Sequence, residues 1–247
     1  MRNSHREARI DLAAAHRLAV MDGLHEGTWN HFSVCLADGS GQMLVTPAAC
    51  HWKMVTASSL IRIDRDGKKV EGEGEYDPSA YFIHYPIHNA RRDAVCVLHA
   101  HPPYATALSM VENGRLQMAD QNTLGMYGRI AYFDTWDGYV MDLDHGRRLA
   151  DVLGDNRVLF LSNHGVVVVG PSVAAAYSDL YKLERACMLQ CHAMSMGGKL
   201  RRMPHELASQ IPAFLDNEGY GAAGSYKVAY FAAMKRLLDL EQPTYSS

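Results

Sequence analysis

Apolar positions recur along the chain with two periods, one typical of helices and one typical of strands. From Ile10 to Met21 the apolar residues are spaced three and four apart, and Ser4 with Glu7 forms an S-x-x-E capping sequence just before them. The same spacing predicts helices over 77–92, from about 103 to 111, and over 142–154, 172–196 and 225–240. Pro86 falls inside the first of these, so we expect that helix to kink or to end early.

Short apolar runs between the helices predict strands. They lie at 31–36, 42–47, 59–64, 68–72, 94–101, 129–134 and 157–170. The turn sequences DGSG and RDG make two hairpins of the first four strands. Because neighbouring strands follow one another without helices between them, a mixed or antiparallel sheet is favoured over regular βαβ alternation. The pattern predicts one α/β domain over residues 1–247, with a C-terminal helical tail from about residue 205.

Composition and charge narrow the class of partner. The chain has 247 residues, and 48% of them are apolar. Its net charge of −3 does not indicate the positively charged surface that binds a nucleic acid. No apolar run approaches the roughly 18 residues of a membrane span, and the N-terminal segment is too polar for a signal peptide. The five cysteines are scattered and odd in number, which fits a reducing cytoplasm. Cys187 and Cys191 are four apart on a predicted helix, and packed thiols are favoured there over a metal site.

Two histidines end the strand at 94–101 in the sequence VCVLHAHPPYATALSM. His99 and His101 project on the same side of that strand, roughly 7 Å apart, so both imidazoles can reach one divalent ion. Pro102 and Pro103 end the strand beside solvent. An H-x-H pair alone is also compatible with two polar residues at a strand end. A third histidine, His164, lies in an apolar strand region within LFLSNHGVVVVG, where a buried imidazole needs a partner and a metal is one candidate.

Together these motifs resemble the class II aldolase/adducin family. The matching segments are EGTWNHFSV (26–34), LVTP (44–47), 82–109 and 159–170, in family order. The resemblance implies a three-layer α/β/α domain with a central, largely antiparallel sheet. It also implies that His99, His101 and His164 bind one divalent metal ion per chain. A homotetramer is implied as well, with active sites at subunit interfaces that are partly built by a neighbour.

The departures from the family pattern bear on the substrate. In the family's sugar-phosphate enzymes an acidic residue lies nineteen positions before the first metal histidine, and here that position is Ala80. A Gly-Asn pair of the phosphate pocket is replaced by Asn30 and His31, and Ser79 is the one hydroxyl that remains of a Ser-Ser pair. Aldol cleavage needs a positioned acid/base and a phosphate needs several donors, so a phosphorylated sugar is disfavoured.

We therefore predict a metal-dependent carbon–carbon lyase. The family includes a branch of decarboxylases that act on hydroxylated aromatic or pyridine carboxylates, and the resemblance implies decarboxylation of a hydroxylated aromatic or heteroaromatic carboxylic acid as the leading reaction. A metal held by three histidines can withdraw the charge that develops as CO2 leaves. Zinc, manganese and iron all accept imidazole ligands, with zinc or manganese favoured. Two alternatives stay open at this point. One is an aldolase for a non-phosphorylated substrate, and the other is a non-catalytic, adducin-like assembly module.

Several further side chains are candidates for the site. His31 is the first candidate proton donor, although a loop histidine can equally cap backbone groups. Tyr127 is the second, although tyrosines more often serve packing. His84 shares a helix face with His88, so the two either line the pocket or are buried with satisfied hydrogen bonds. The predicted substrate-binding residues are Trp29, Asn30, Ser79 and His84.

Overall fold

One eight-stranded sheet forms the centre of the structure, a computed structural model that describes residues 2–217 and 225–247. The strands are β1 (His31–Cys35), β2 (Met43–Val45), β3 (Ile61–Ile63), β4 (Lys69–Glu71), β5 (Cys96–Ala100), β6 (Ile130–Phe133), β7 (Val158–Leu161) and β8 (Gly165–Gly170). Their order across the sheet is β4-β3-β2-β1-β5-β8-β7-β6. Every neighbouring pair is antiparallel except β6 and β7, which are parallel. The prediction of a largely antiparallel sheet is confirmed.

Helices cover both faces of this sheet. They are α1 (Arg2–Met21), α2 (Pro78–Ala90), α3 (Pro103–Ser109), α4 (Leu143–Leu153), α5 (Val173–Ser195), α6 (His205–Ala208), α7 (Ile211–Asn217) and α8 (Ser225–Glu241). Helices α1, α3, α5 and α8 share one buried core with the sheet residues Phe32 and Leu98, whereas α2 and α4 share another with Val97 and Val167. Alternation along each strand sends neighbours to opposite faces, so the three-layer α/β/α arrangement is confirmed. None of the helices described is long and apolar enough to cross a bilayer.

Helix α2 continues through Pro86 to Ala90, so the expected early end is wrong. Proline has no N–H, so the carbonyl of Phe82 loses its helical partner. That oxygen faces Gly146 of α4 so closely that a Cβ at residue 146 would lie 1.8 Å from it. Burial of Ile83 and Ile87 against α4 holds α2 together despite the missing hydrogen bond.

Two other expectations differ from the structure. The region 157–170 is not one strand but the hairpin β7–β8, because Asn163 adopts the left-handed conformation with φ 56° and reverses the chain. His164 therefore lies in the turn rather than within a strand. Helix α1 begins at Arg2, two residues before Ser4, whose side chain lies outside the described residues.

The chain from residue 205 onward contributes α6, α7 and α8. Helix α8 is held by two ion pairs, from Lys227 to Asp179 of α5 at 2.6 Å and from Lys235 to Asp11 of α1 at 2.5 Å. This packing lies on the face of the sheet opposite α2 and α4.

Candidate metal centre

Three imidazoles meet where β5 ends and β8 begins. His99 lies in β5, His101 follows it, and His164 lies in the β7–β8 turn. One nitrogen of each ring lies within 4.8 Å of the other two. The ring centroids of His101 and His164 are 4.6 Å apart, and those of His99 and His164 are 4.9 Å apart. The structure thus brings together the three histidines that the sequence singled out.

Strand pairing and one glycine produce this arrangement. In the antiparallel register of β5 and β8, Ala100 pairs with Val166, so the start of β8 lies beside the end of β5. A Cβ at Gly165 would lie 2.5 Å from Cδ2 of His101 and 2.7 Å from the carbonyl oxygen of Ala100. Because no other residue fits this spacing without displacing a ligand, Gly165 sets how closely His101 and His164 approach.

In two of the three rings, Nδ1 already donates a hydrogen bond to the protein. Nδ1 of His99 donates to the carbonyl of Val166 at 3.1 Å, and Nδ1 of His101 donates to Oε2 of Glu26 at 2.7 Å. Both rings therefore keep Nε2 for another partner. Nε2 of His101 is buried and has no hydrogen-bond partner among the described residues. Buried polar atoms are nearly always satisfied, and a carboxylate on the far nitrogen is the usual support of a metal-bound histidine, so this donor set fits a divalent metal ion.

The electrostatics favour neutral rings, which are the form that binds metals. Burial, reinforced by the neighbouring imidazoles, holds the pKa of His99 well below its ordinary value. Burial and then the proximity of His101 lower the pKa of His164 to about 4. Glu26 was not among the residues singled out from the sequence. It lies in the quoted segment 26–34 but 75 positions from His101, so local pattern gave no sign of their contact.

His31 lies directly beside the three histidines. Its Cα pairs with that of His99 across β1 and β5, and the two ring centroids are 5.1 Å apart. Its Nδ1 is 2.7 Å from Nε2 of His84, and its Nε2 is 2.9 Å from Oγ of Ser79. Burial is the main reason that the pKa of His31 falls to about 4. Both ring nitrogens of the first candidate proton donor are therefore hydrogen-bonded.

A chain of hydrogen bonds continues from His31 in both directions. On one side, Oγ of Ser79 donates to Asp77 at 2.7 Å. On the other side, Ser33 Oγ lies 2.6 Å from Nδ1 of His84 and 2.8 Å from Nε2 of His88, and Nδ1 of His88 donates to the carbonyl of Ala94 at 2.5 Å. We call this set the histidine chain, and its members are Asp77, Ser79, His31, His84, Ser33, His88 and the Ala94 carbonyl.

Periodicity on two elements lines up the histidine chain. His31 and Ser33 are two positions apart on β1, so their side chains face the same side of the sheet, towards α2. His84 and His88 lie one helical turn apart on α2 and face β1. Ala80 is one further turn back on the same helix and is completely buried.

The other predicted site residues have different surroundings. Trp29 is 69% exposed and forms an isolated backbone bridge with Glu26. Asn30 has φ 69°, and its Oδ1 is buried without a hydrogen-bond partner in the described structure. His84 has no exposed surface and, among the described contacts, reaches the metal centre only through His31. Tyr127 hydrogen-bonds to His205, and no contact described in the structure joins it to the three ligand histidines.

The two cysteines of α5 do not form a second metal site in the part of the chain that the structure describes. The three histidines are the one candidate ligand group found there. Cys187 is buried in the core, and Cys191 has its Sγ 3.9 Å from the carbonyl oxygen of Tyr104. The two thiols are packed, as the sequence favoured.

Similarity to known proteins agrees with this fold. The chain is 32% identical over 241 residues to an adducin-related protein of Schizosaccharomyces pombe, a match that covers 94% of this chain and 74% of that protein. It is 33% identical over 195 residues to the decarboxylase NovR of Streptomyces niveus, covering 78% and 71%. The crystal structure of an aldolase II superfamily protein from Pseudomonas syringae superposes with a TM-score of 0.89 at 31% identity, covering 99% and 96%.

The family match itself spans most of the sheet and both histidine motifs. The family described as the Class II Aldolase and Adducin N-terminal domain matches residues 10–191. This range contains α1 from Ile10 onward, all eight strands and the three histidines. The chain belongs to the class II aldolase and adducin N-terminal domain family.

Proposed function

We propose that this protein is a divalent-metal-dependent carbon–carbon lyase, and specifically a decarboxylase of a hydroxylated aromatic or heteroaromatic carboxylic acid. One observation carries the proposal. The three histidines are arranged to hold a metal, yet residue 80 is an alanine, and His31 lies beside the ligand His99 with ring centroids 5.1 Å apart. Decarboxylation needs an electron sink and a later proton donor but no base that removes a proton from carbon.

The individual roles follow from the contacts. His99, His101 and His164 would hold the ion, and Glu26 would keep the ring of His101 in place. A bound divalent ion supplies Lewis acidity that lowers the energy of the negative charge left when CO2 departs. His31, working with Ser79, would deliver the proton that replaces CO2 on carbon.

The substrate class is inferred from what surrounds the centre. The free Oδ1 of Asn30 is an acceptor suited to a ring hydroxyl, and the exposed indole of Trp29 offers a flat apolar surface. Similarity to decarboxylase NovR over 78% of this chain supports the reaction class. Zinc or manganese is the metal we favour, and iron is compatible with the same ligands.

We also propose a cytoplasmic homotetramer with sites at subunit interfaces. The support is a set of large apolar side chains exposed near the centre, because such patches usually mark contact surfaces. Trp136 is 55% exposed and Tyr139 82% exposed, in the segment that packs beside His164. Chromatography with light scattering checks the assembly, and a monomer at micromolar concentration would contradict it.

Two other functions are compatible with the family. An aldolase for a non-phosphorylated substrate would use the same metal and His31. An assembly module without catalysis is compatible with the similarity to adducin-related proteins. The unpartnered, buried Nε2 of His101 favours the metal-dependent functions over the assembly module, because an assembly module gains nothing from an unsatisfied buried nitrogen.

Metal analysis followed by product analysis tests the proposal. We expect about one divalent ion per purified chain and CO2 release from at least one member of a panel of hydroxylated benzoic and pyridine carboxylic acids. His99→Ala should remove both, while the matched change His51→Ala, at an exposed histidine, should retain both. Aldehyde release from hydroxy acids without CO2 would indicate the aldolase. A chain that neither holds nor responds to metal would contradict both enzymatic functions.

A further inference from the structure

The histidine chain contains one proton fewer than its hydrogen bonds require. Six hydrogen bonds connect the Ala94 carbonyl through the three imidazoles and two hydroxyls to the Asp77 carboxylate. Each neutral imidazole and each hydroxyl supplies one proton, which makes five. Both ends of the chain can only accept, because one is a carbonyl and the other a carboxylate. One of the six links therefore has no proton between its two atoms.

The position of this open link is decided by burial. An unpaired buried acceptor carries its full desolvation cost, whereas water can satisfy one at the surface. His31 and His84 are 4% and 0% exposed, Ser33 is 0% exposed, and direct hydrogen bonds of 2.7 Å and 2.6 Å join His84 to the other two. Ser79 is half-buried and Asp77 is exposed. The hydrogen bond that lacks a proton therefore costs the least free energy when it lies on the Ser79 side of His31.

Placing one proton in each of the other hydrogen bonds fixes every proton position in the buried part of the histidine chain. Nδ1 of His88 must donate to the Ala94 carbonyl, so its Nε2 accepts from the hydroxyl of Ser33. Ser33 then accepts from Nδ1 of His84, whose Nε2 in turn accepts from Nδ1 of His31. All three rings thus carry their proton on Nδ1, and His31 is left with an unprotonated Nε2.

We infer that Ser33, His84 and His88 are positioning residues that hold His31 in its Nδ1-protonated tautomer, so that Nε2 is the ring nitrogen left without a proton on the Ser79 side. Burial, the largest cause, lowers the pKa of His84 well below its ordinary value and that of His88 to about 4, in agreement with neutral rings behind His31. The inference deepens the proposed function and rests on it for its catalytic meaning.

The proton balance of the proposed reaction fits this arrangement. The open link takes up one proton from solvent by way of Ser79, which places a hydrogen on Nε2 of His31. After the carbon–carbon bond breaks, its electron pair stays on the ring carbon and CO2 leaves. That carbon then takes the proton, and the link is open again. The buried side of the histidine chain keeps its own protons throughout, so the acid always regenerates at the same nitrogen.

Nitrogen NMR of histidine-labelled protein tests the tautomers without any substrate. Long-range proton–nitrogen correlation at neutral pH distinguishes Nδ1–H from Nε2–H rings, and single His→Gln variants assign the signals. We expect His31, His84 and His88 all in the Nδ1–H form, in metal-free and zinc-loaded protein, although free histidine prefers Nε2–H. Any of the three in the Nε2–H form in the unmodified protein overturns the inference.

Two variants of Ser33 add a matched comparison. Ser33→Ala removes the link between His84 and His88, so His84 and His31 should lose the uniform Nδ1–H form. Ser33→Thr keeps the hydroxyl and should preserve it. Tautomers that stay unchanged in a folded Ser33→Ala protein would overturn the inference, and the unmodified protein alone decides the matter should the alanine variant fail to fold.

The tautomer assignment and the proposed reaction can be rejected independently of each other. Failure to release CO2 across the carboxylic acid panel, with Nδ1–H tautomers observed, rejects the proposed function and leaves the positioning role of Ser33 for another proton transfer at His31. CO2 release with Nε2–H rings supports the function and rejects the positioning role.

Discussion

Glu26 accepts a hydrogen bond of 2.7 Å from Nδ1 of His101, and Nε2 of the same ring is buried without a hydrogen-bond partner among the described residues. The carboxylate comes from the loop before β1, and the histidine from the end of β5. Carboxylate support of this kind orients a metal ligand and raises its basicity.

Glu26→Gln should therefore lower metal affinity while leaving the fold intact. The amide keeps the size of the side chain but loses the charge that supports the imidazole, and we expect a loss of about 10- to 100-fold. Competition with a chromophoric chelator measures the affinity for zinc. Glu73→Gln, at an exposed acid, is the control and should match the unmodified protein. Equal affinities in the two variants would show that Glu26 does not support the site.

Gly165→Ala should disturb the metal centre through geometry alone. The added Cβ would meet His101 Cδ2 at 2.5 Å and the Ala100 carbonyl at 2.7 Å, so the β5–β8 contact must widen. We expect lower metal affinity together with a stability loss of about 1–3 kcal/mol in urea unfolding. Gly198→Ala, where a Cβ would meet nothing within 4 Å, is the control. Unchanged zinc affinity in Gly165→Ala would contradict the role given to this glycine.

His16 should make the protein less stable as the pH falls below 6.5. Burial lowers its pKa to about 4, and its ring bridges the Leu12 carbonyl and the Thr46 hydroxyl. Between these two pH values the unfolded chain binds a proton that the folded one does not, so unfolding becomes easier on acidification. One such group contributes on the order of 3 kcal/mol over this range.

The check is the slope of unfolding free energy against pH from urea titrations. His16→Gln should show a shallower slope between pH 6.5 and pH 4 than the unmodified protein. Other buried histidines add to the overall slope, so the comparison between variants carries the result. Identical slopes in His16→Gln and the unmodified protein would contradict the prediction.

The ion pair between Lys227 and Asp179 should be costly to break from one side. Both residues are buried, 5% and 8% exposed, and their charged atoms are 2.6 Å apart. Lys227→Met leaves a buried carboxylate without its partner, and we expect a loss of about 3–5 kcal/mol. Arg147→Met breaks the exposed pair with Asp144 and should cost less than about 1 kcal/mol. Similar losses for the two variants in urea unfolding would contradict this.

Much of the fold was predictable because it depends on local periodicity. The strands at 31–36 and 42–47 and the helix at 172–196 follow from apolar spacing and turn residues, and the structure has them within a few residues. The break at Asn163 was missed because a single left-handed residue between two apolar runs leaves no pattern. Pro86 was misjudged because the packing of Ile83 and Ile87 that holds α2 together is against α4, whose Gly146 is 60 positions from Pro86.

The sequence by itself determined that His99 and His101 lie on one side of a strand end, where both can reach a metal ion, and its resemblance to the family pointed to His164 as the third ligand and to Ala80 as the position of a missing acid. Only the tertiary structure decided which residues form hydrogen bonds with those ligands and with their neighbour His31. Glu26 meets His101, and His31 meets His84, through contacts 75 and 53 residues apart in the chain. Hydrogen bonds of this kind depend on strand register and helix placement, which arise from burial of the whole core. The residues next to each partner in the sequence therefore give no signal of the contact.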